Sequence, residues 1–176
     1  MGTLKILSYN VRGLNSPLKR GNILREIKHL KADIVLIQET HISQESNLKI
    51  SSPEYPLWYY GDSPTKLAKG VAIGFAKEVR FVLVERKVDP EGRYLLLRGK
   101  INEVDYSIAN IYCPNKNSMR FLKGVIEMFM DFRMGPVVVA GDMNLCLDPD
   151  VDCTSRVQRT GDAQKKSLKK NYINFN

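Results

Sequence analysis

At residues 136–144 the chain reads Pro136-Val137-Val138-Val139-Ala140-Gly141-Asp142-Met143-Asn144. A β-branched apolar run of this kind, which begins at proline and ends at glycine, predicts a fully buried strand. Asp142 and Asn144 come directly after the run, so we expect them at the sheet edge where ligands bind in α/β proteins. Two residues separated by one position in an extended chain point to the same side, so both side chains could face one substrate.

The motif alone leaves a second interpretation open, because Gly-Asp-x-Asn after an apolar strand is also an ordinary turn. Asp and Asn bond to their own backbone and tolerate left-handed geometry. The decision between a turn and a site depends on whether other predicted strands end in similar residues. Three of them do: Asn10, Glu39 and Tyr112 lie at the ends of predicted strands 4–8, 34–38 and 104–111.

The order of the predicted elements indicates an α/β fold. Amphipathic helices are predicted at residues 19–30 and 118–133, where apolar residues recur at helical spacing. The strand, helix, strand order at the N-terminus favours a parallel pair, which would bring Asn10 and Glu39 to the same sheet edge. Between the helices, short runs separated by turn residues predict an antiparallel meander, with strands at 58–60, 71–75, 81–85, 94–100 and 104–111.

Five polar residues therefore lie at or just beyond the ends of apolar strands: Asn10, Glu39, Tyr112, Asp142 and Asn144. An oxygen-rich pocket of this kind suits a hard cation such as Mg²⁺, with Mn²⁺ as the alternative ion. Magnesium typically takes one or two protein carboxylates and completes its shell with water and substrate phosphate. The sequence therefore predicts a magnesium site at this edge.

Four stretches of the sequence resemble, in order, the motifs of the endonuclease/exonuclease/phosphatase superfamily. They are SYNVRGL at residues 8–14, QETH at 38–41, NIYCPN at 110–115 and GDMN at 141–144. The first two are most similar to the apurinic-like endonuclease domain of non-LTR retrotransposons, the long interspersed elements. The resemblance runs from residue 4 to about residue 144.

The resemblance implies a deoxyribonuclease I-like fold, a sandwich of two β-sheets flanked by helices in four layers. It also implies Mg²⁺-dependent cleavage of DNA phosphodiester bonds. By motif position, Glu39 would be the main metal ligand with Asn10 beside it, and Asp142 would orient or deprotonate the attacking water. The other motif residues would contact the substrate: Asn144 and Tyr112 the scissile phosphate, and Arg12 and Asn115 the DNA.

Members of this family carry further strands after the GDMN block, with a late Asp and a closing Ser-Asp-His motif. This sequence ends at Asn176 without them. We therefore expect a single domain over residues 1–176 that is incomplete at its C-terminus, with the motifs in 4–144 and a basic tail at 154–176. An unpaired sheet edge and weak or absent nuclease activity would follow.

The composition is that of an ordinary globular protein, with 43% hydrophobic and 26% charged residues and no membrane-spanning stretch. Three cysteines without a C-x-x-C pair predict reduced thiols, and we expect a nuclear or cytoplasmic, intracellular protein without a membrane partner. The net charge of +8 is compatible with DNA, although +5 of it falls in residues 156–176. The oligomeric state is not indicated.

Other interpretations stay open from the sequence. Within the family, the chain could be an abasic-site DNA repair endonuclease or a 3′ exonuclease, and hydrolysis of phosphoinositides or sphingomyelin is a less favoured use of the fold. A different class is a catalytically dead remnant that binds polyanions through the basic tail. Such binding would be salt-sensitive and would survive the loss of Glu39 or Asp142. A remnant without function is the third class.

Overall fold

A computed structural model describes residues 3–42, 48–61 and 69–145 of the chain. These residues form eight strands and two helices. In chain order they are β1 (Ile6–Asn10), α1 (Pro17–Leu30), β2 (Ile34–Gln38), β3 (Leu57–Gly61), β4 (Val71–Phe75), β5 (Phe81–Val88), β6 (Tyr94–Ile101), β7 (Val104–Tyr112), α2 (Ser118–Phe132) and β8 (Val137–Asp142).

The described strands form two four-stranded sheets, with the orders β1-β2-β4-β3 and β5-β6-β7-β8. β1 and β2 are parallel with Asn10 opposite Gln38, which confirms the predicted parallel pair. β7 and β8 are also parallel, with Tyr112 opposite Asp142. In each sheet, two neighbouring parallel strands therefore end side by side. All four of these strands end in a polar residue.

The sheets pack face to face, and a helix covers each outer face. Leu95 and Leu97 of β6 belong to the core shared with the first sheet, whereas the intervening Leu96 packs with α2. This alternation is the period of two expected of a strand buried on both faces. On the other side, α1 buries Ile23 and Ile27 against the first sheet. The predicted α/β sandwich flanked by helices is confirmed.

The predicted meander is divided between the two sheets, which corrects the sequence interpretation. β4 pairs with β2 and β3 in the first sheet, whereas β5, β6 and β7 form consecutive antiparallel pairs in the second. Turn residues show where the chain reverses but not where it passes to another sheet. β1 also runs two residues further than predicted, so that Asn10 is its last residue.

β8 is not the fully buried strand that its apolar sequence predicts. It pairs with β7 alone among the described residues, and its side chains are half-buried, with Val139 37% exposed. A strand with one neighbour leaves an edge open to solvent, and hydrophobicity alone does not show this. β8 is thus an edge strand of the second sheet in the described part of the chain.

Two further expectations fall partly or wholly outside the described residues. The basic tail at 154–176 lies outside them, as do Cys146 and Cys153, whereas Cys113 is buried with a free thiol. Neither helix of the described segments has the length and apolar character needed to cross a bilayer.

Gly124 of α2 is an exposed helical glycine, and apart from its chain neighbours and the backbone of its own helix no atom lies within 4 Å of the position that a Cβ would take. We expect Gly124→Ala to raise the free energy of unfolding by about 0.5–1 kcal/mol, because glycine loses more backbone entropy in a helix than alanine. Urea denaturation of the two proteins measures the difference. A less stable variant would show that α2 does not extend through this position.

Candidate active site

The C-terminal end of β2 presents Glu39, whose backbone is held on two sides. Glu39 follows the last residue of β2 and has a positive φ of 53°. Its carbonyl oxygen accepts a hydrogen bond from the Gly13 amide at 2.6 Å, and the next amide, of Thr40, donates to the Gly70 carbonyl at 3.0 Å. A non-glycine residue at positive φ persists only where its surroundings hold it. These bonds therefore fix the Glu39 backbone at the sheet edge.

The side chain of Asn10 connects carboxylates from the two sheets. Its Nδ2 donates a hydrogen bond to Glu39 Oε1 at 2.9 Å and a second to Asp142 Oδ2 at 2.7 Å. Asn10 and Glu39 belong to strand ends of the first sheet, whereas Asp142 ends β8 of the second. The two carboxylates, distant in sequence, therefore lie on either side of one nitrogen atom.

Asp142 and Asn144 form a turn at the same place. The Asn144 amide donates to Asp142 Oδ1 at 3.1 Å, and Asn144 has a φ of 45°. The turn interpretation of the motif is confirmed, and it leaves Asp142 Oδ2 to face Asn10. The strand ends at Asp142, yet Asp142 and Asn144 both line the same cleft. Their contact with one substrate stays a prediction. Asn144 Nδ2 donates to the Cys113 carbonyl at 2.6 Å.

Tyr112 ends β7 next to the two carboxylates. Burial raises the pKa of its phenol above the ordinary value, and the charge of Glu39 and a hydrogen bond to it raise the pKa further. The hydroxyl group therefore stays protonated at neutral pH and can donate a hydrogen bond. Burial, with a smaller contribution from Asp142, raises the pKa of the neighbouring Cys113 thiol to about 11, so this thiol is neutral and poorly nucleophilic.

The acidic pair lacks a cationic partner within the segments that the structure describes. No Lys or Arg there forms an ion pair with Glu39 or Asp142, and His41 is the neighbour whose Nε2 lies 3.5 Å from Glu39 Oε2. His41, the last residue of the QETH stretch, therefore lies beside Glu39.

A hard divalent cation fits this donor set. Asn10 and Asp142 line an open cleft of about 590 Å³, and the Glu39 carboxylate accepts a hydrogen bond from the Asn10 amide. In the described part of the chain, no three His, Cys, Asp or Glu side chains are arranged as ligands of one ion. Magnesium needs only one or two carboxylates and takes water and phosphate for the rest. The residues therefore suit an ion that shares its shell with a substrate.

The two predicted DNA contacts, Arg12 and Asn115, are both exposed. The backbone amide of Arg12, at a φ of 47°, donates to Asn10 Oδ1 at 3.1 Å and so fixes the orientation of the Asn10 amide. Asn115 lies in the loop that follows Tyr112. Their contact with DNA stays a prediction.

The order of motifs and the fold agree with the sequence model of the Endonuclease/Exonuclease/phosphatase family, which matches residues 7–157. The chain belongs to this family. The structure of D. rerio TDP2 complexed with single-strand DNA product matches this Endonuclease/Exonuclease/phosphatase chain with a TM-score of 0.63 at 20% identity, covering 84% of this chain and 63% of that chain. At this identity the likeness shows the fold alone, and it confirms the deoxyribonuclease I-like architecture.

Two curated proteins are similar to this family member in sequence. An exodeoxyribonuclease of Bacillus subtilis (strain 168) is 24% identical over 155 residues, which cover 81% of this chain and 59% of the relative. A DNA-(apurinic or apyrimidinic site) endonuclease of Dictyostelium discoideum is 26% identical over 157 residues, which cover 81% of this chain and 42% of the relative. The chain therefore spans about half the length of the curated relatives it matches.

Three polar residues for which the sequence predicted no role lie at the base of the site of this family member: Ser8, Gln38 and Asn110. Gln38 and Asn110 are buried, and Gln38 Nε2 donates to Ser8 Oγ at 3.2 Å and to Asn110 Oδ1 at 2.7 Å. The signal available in the sequence was a polar residue within each apolar strand, at Gln38 after IVLI and at Asn110 within SIANIY. A buried polar side chain needs a hydrogen-bond partner, but the sequence does not name that partner.

Proposed function

We propose that the chain carries the catalytic centre of a Mg²⁺-dependent phosphodiesterase that nicks DNA. The observation that supports this most is the Asn10 amide, which donates to the Glu39 and Asp142 carboxylates and so brings acidic groups from both sheets together, next to an open cleft that Asn10 and Asp142 line. Phosphoryl transfer depends mostly on positioning and on neutralising charge. Nucleases of this family generally use divalent metals.

In this proposal Glu39 and Asn10 would hold the metal ion, which when bound would supply charge neutralisation at the scissile phosphate. Asp142 orients the attacking water and accepts its proton as the general base. Tyr112, kept protonated by its raised pKa, donates a hydrogen bond to a phosphate oxygen. Asn144, anchored to the Cys113 carbonyl, contacts the same phosphate.

We further propose that the activity is of the retrotransposon type, which cleaves intact duplex DNA. The support is in the sequence, since SYNVRGL at 8–14 and QETH at 38–41 most resemble that group. Arg12 and Asn115, both exposed beside the motif residues, are the proposed DNA contacts. Cleavage preference among DNA sequences would then depend on the bending of the duplex as well as on these contacts.

Supercoiled plasmid DNA tests the proposed chemistry. We expect the chain to convert it to nicked circles with Mg²⁺ or Mn²⁺, and we expect EDTA to stop the reaction. A chain that nicks the plasmid with neither Mg²⁺ nor Mn²⁺ would contradict the proposed chemistry. DNA binding without cleavage, lost at high salt and unchanged by Glu39→Ala or Asp142→Ala, would support the polyanion-binding alternative.

Abasic-site or 3′ exonuclease activity is the second candidate, favoured by the two relatives, an exodeoxyribonuclease and an abasic-site endonuclease. Labelled duplexes with and without one abasic site separate the candidates. The retrotransposon type predicts cleavage of the intact duplex at least as fast as of the abasic one, since it does not depend on an extruded sugar. A strong preference for the abasic duplex, or stepwise shortening from 3′ ends, would favour a repair enzyme.

A further inference from the structure

We propose that Gln38 and Asn110 are positioning residues, which fix the separation of the acidic groups carried by the two sheets. The inference rests on the proposed function, because it assigns both residues to the same reaction. Gln38 directly precedes Glu39 at the end of β2, and Asn110 lies on β7 just before the strand ends at Tyr112. Both side chains are buried, with exposures of 1% and 0%.

The Asn110 side chain attaches the second sheet to the first at three points. Its Nδ2 donates to the carbonyl oxygens of Ile37 and Ala72, each at 2.9 Å. These two residues are opposite each other on β2 and β4, so one amide group spans two neighbouring strands of the other sheet. Its Oδ1 accepts the hydrogen bond from Gln38 Nε2 at 2.7 Å.

Gln38 extends the same network to β1. Its Nε2 also lies 3.2 Å from Ser8 Oγ and 3.2 Å from the Leu36 carbonyl oxygen. Ser8 precedes Asn10 on β1, and Ala140 of β8 is directly opposite Asn110 in the second sheet. The network therefore includes residues of β1, β2 and β7 and lies next to β8. These are the four strands at whose ends the proposed site residues lie, namely Asn10, Glu39, Tyr112 and Asp142.

The hydrogen bonds of Gln38 and Asn110 restrict sliding of one sheet along the other, which the surrounding apolar core does not. Hydrophobic contact is non-directional, so it holds two sheets together without fixing how far one slides along the other. Hydrogen bonds depend on distance and angle, and buried polar groups must keep their partners. Since a displacement of about 1 Å at reacting groups can cost about 10²-fold in rate, the Gln38–Asn110 network sets the alignment on which catalysis depends.

The test compares Asn110→Ala with Ser107→Ala, a matched control on the same strand. Ser107 is also buried, and its hydroxyl donates to the Met134 carbonyl at 2.8 Å and accepts from the Met134 amide at 2.7 Å. Ser107 lies nearer the first residue of β7, whereas Tyr112 is the last residue of that strand. Ser107→Ala therefore removes a buried hydrogen-bonded group without touching the network, and it reports the effect of lost stability alone.

Two measurements decide the role. Without metal, Asn110→Ala should speed hydrogen exchange at the Thr40 and Tyr112 amides by at least about tenfold relative to other strand amides, and Ser107→Ala should not. With Mg²⁺ and plasmid DNA, Asn110→Ala should lower kcat on the order of 10²-fold with little change in KM, whereas Ser107→Ala keeps both. If Asn110→Ala does not fold, Gln38→Met, of similar size without hydrogen-bonding groups, should show the same pattern.

Unchanged exchange at these amides, or a uniform increase across the chain like that of Ser107→Ala, would overturn the positioning role. A kcat that falls equally in the Asn110 and Ser107 variants would do the same. If the unsubstituted chain shows no nicking, the proposed function fails, but the exchange comparison still decides whether Gln38 and Asn110 align the two sheets.

Discussion

Glu39→Ala is expected to lower Mg²⁺-dependent nicking by about 10²- to 10³-fold or more, the cost of removing one preorganised charged group from a phosphoryl-transfer site. The substitution removes the proposed main metal ligand. It also removes one of the two acceptors of the Asn10 amide, which leaves Asp142 as its remaining carboxylate partner. Affinity for Mg²⁺ should fall together with the rate. Single-turnover nicking and calorimetric titration with MgCl₂ measure the two effects separately.

Two further variants make the Glu39 result specific. Glu39→Gln keeps the side-chain oxygen that accepts from Asn10 but lacks the charge, so it should also lose affinity for Mg²⁺. Glu103→Ala is the matched control, because Glu103 is likewise a glutamate at positive φ, 64°, with a side chain 90% exposed in the turn between β6 and β7. It should change neither measurement. Wild-type nicking and Mg²⁺ affinity in Glu39→Ala would remove Glu39 from the metal site.

The position of the polar residues at one sheet edge could be predicted, because it depends on the direction in which each strand runs. An apolar strand followed by a polar residue places that residue at the strand's C-terminal end, and a strand, helix, strand connection makes neighbouring strands parallel. These two rules bring Asn10 and Glu39 to one edge without any knowledge of side-chain contacts. The bounds of β2, residues 34–38, also match the prediction, because a short run of large apolar residues is a strong strand signal.

What could not be predicted depends on which elements become neighbours. The sequence of β8 does not show that it pairs with β7 alone in the described residues, so the half-exposed Val139 was unexpected. Nor does it show that β4 pairs with β2, or that Asn110 finds its partners on another sheet. Local patterns predict elements and their ends, whereas pairing between distant segments is decided by how the whole chain packs.

Gly141→Ala is expected to lower the free energy of unfolding by about 3 kcal/mol or more, since it combines backbone strain with a steric clash. Gly141 has a φ of 147°, a region that residues with a Cβ rarely adopt. An added Cβ would also overlap the carbonyl oxygen of Ile111, the residue opposite Gly141 in the β7–β8 pair. A backbone atom within a sheet cannot move aside without disturbing the pairing that places Tyr112 opposite Asp142.

Urea denaturation of Gly141→Ala beside Gly124→Ala isolates the cause, because the same chemical change should have opposite signs at the two positions. At Gly124 the added methyl group meets open space on a helix, whereas at Gly141 it meets the backbone of the neighbouring strand. A Gly141→Ala protein as stable as the parent would mean that β8 does not hold the conformation seen here. Asp142 would then not be held opposite Tyr112, and the proposed alignment of Asp142 with Glu39 would lose its structural basis.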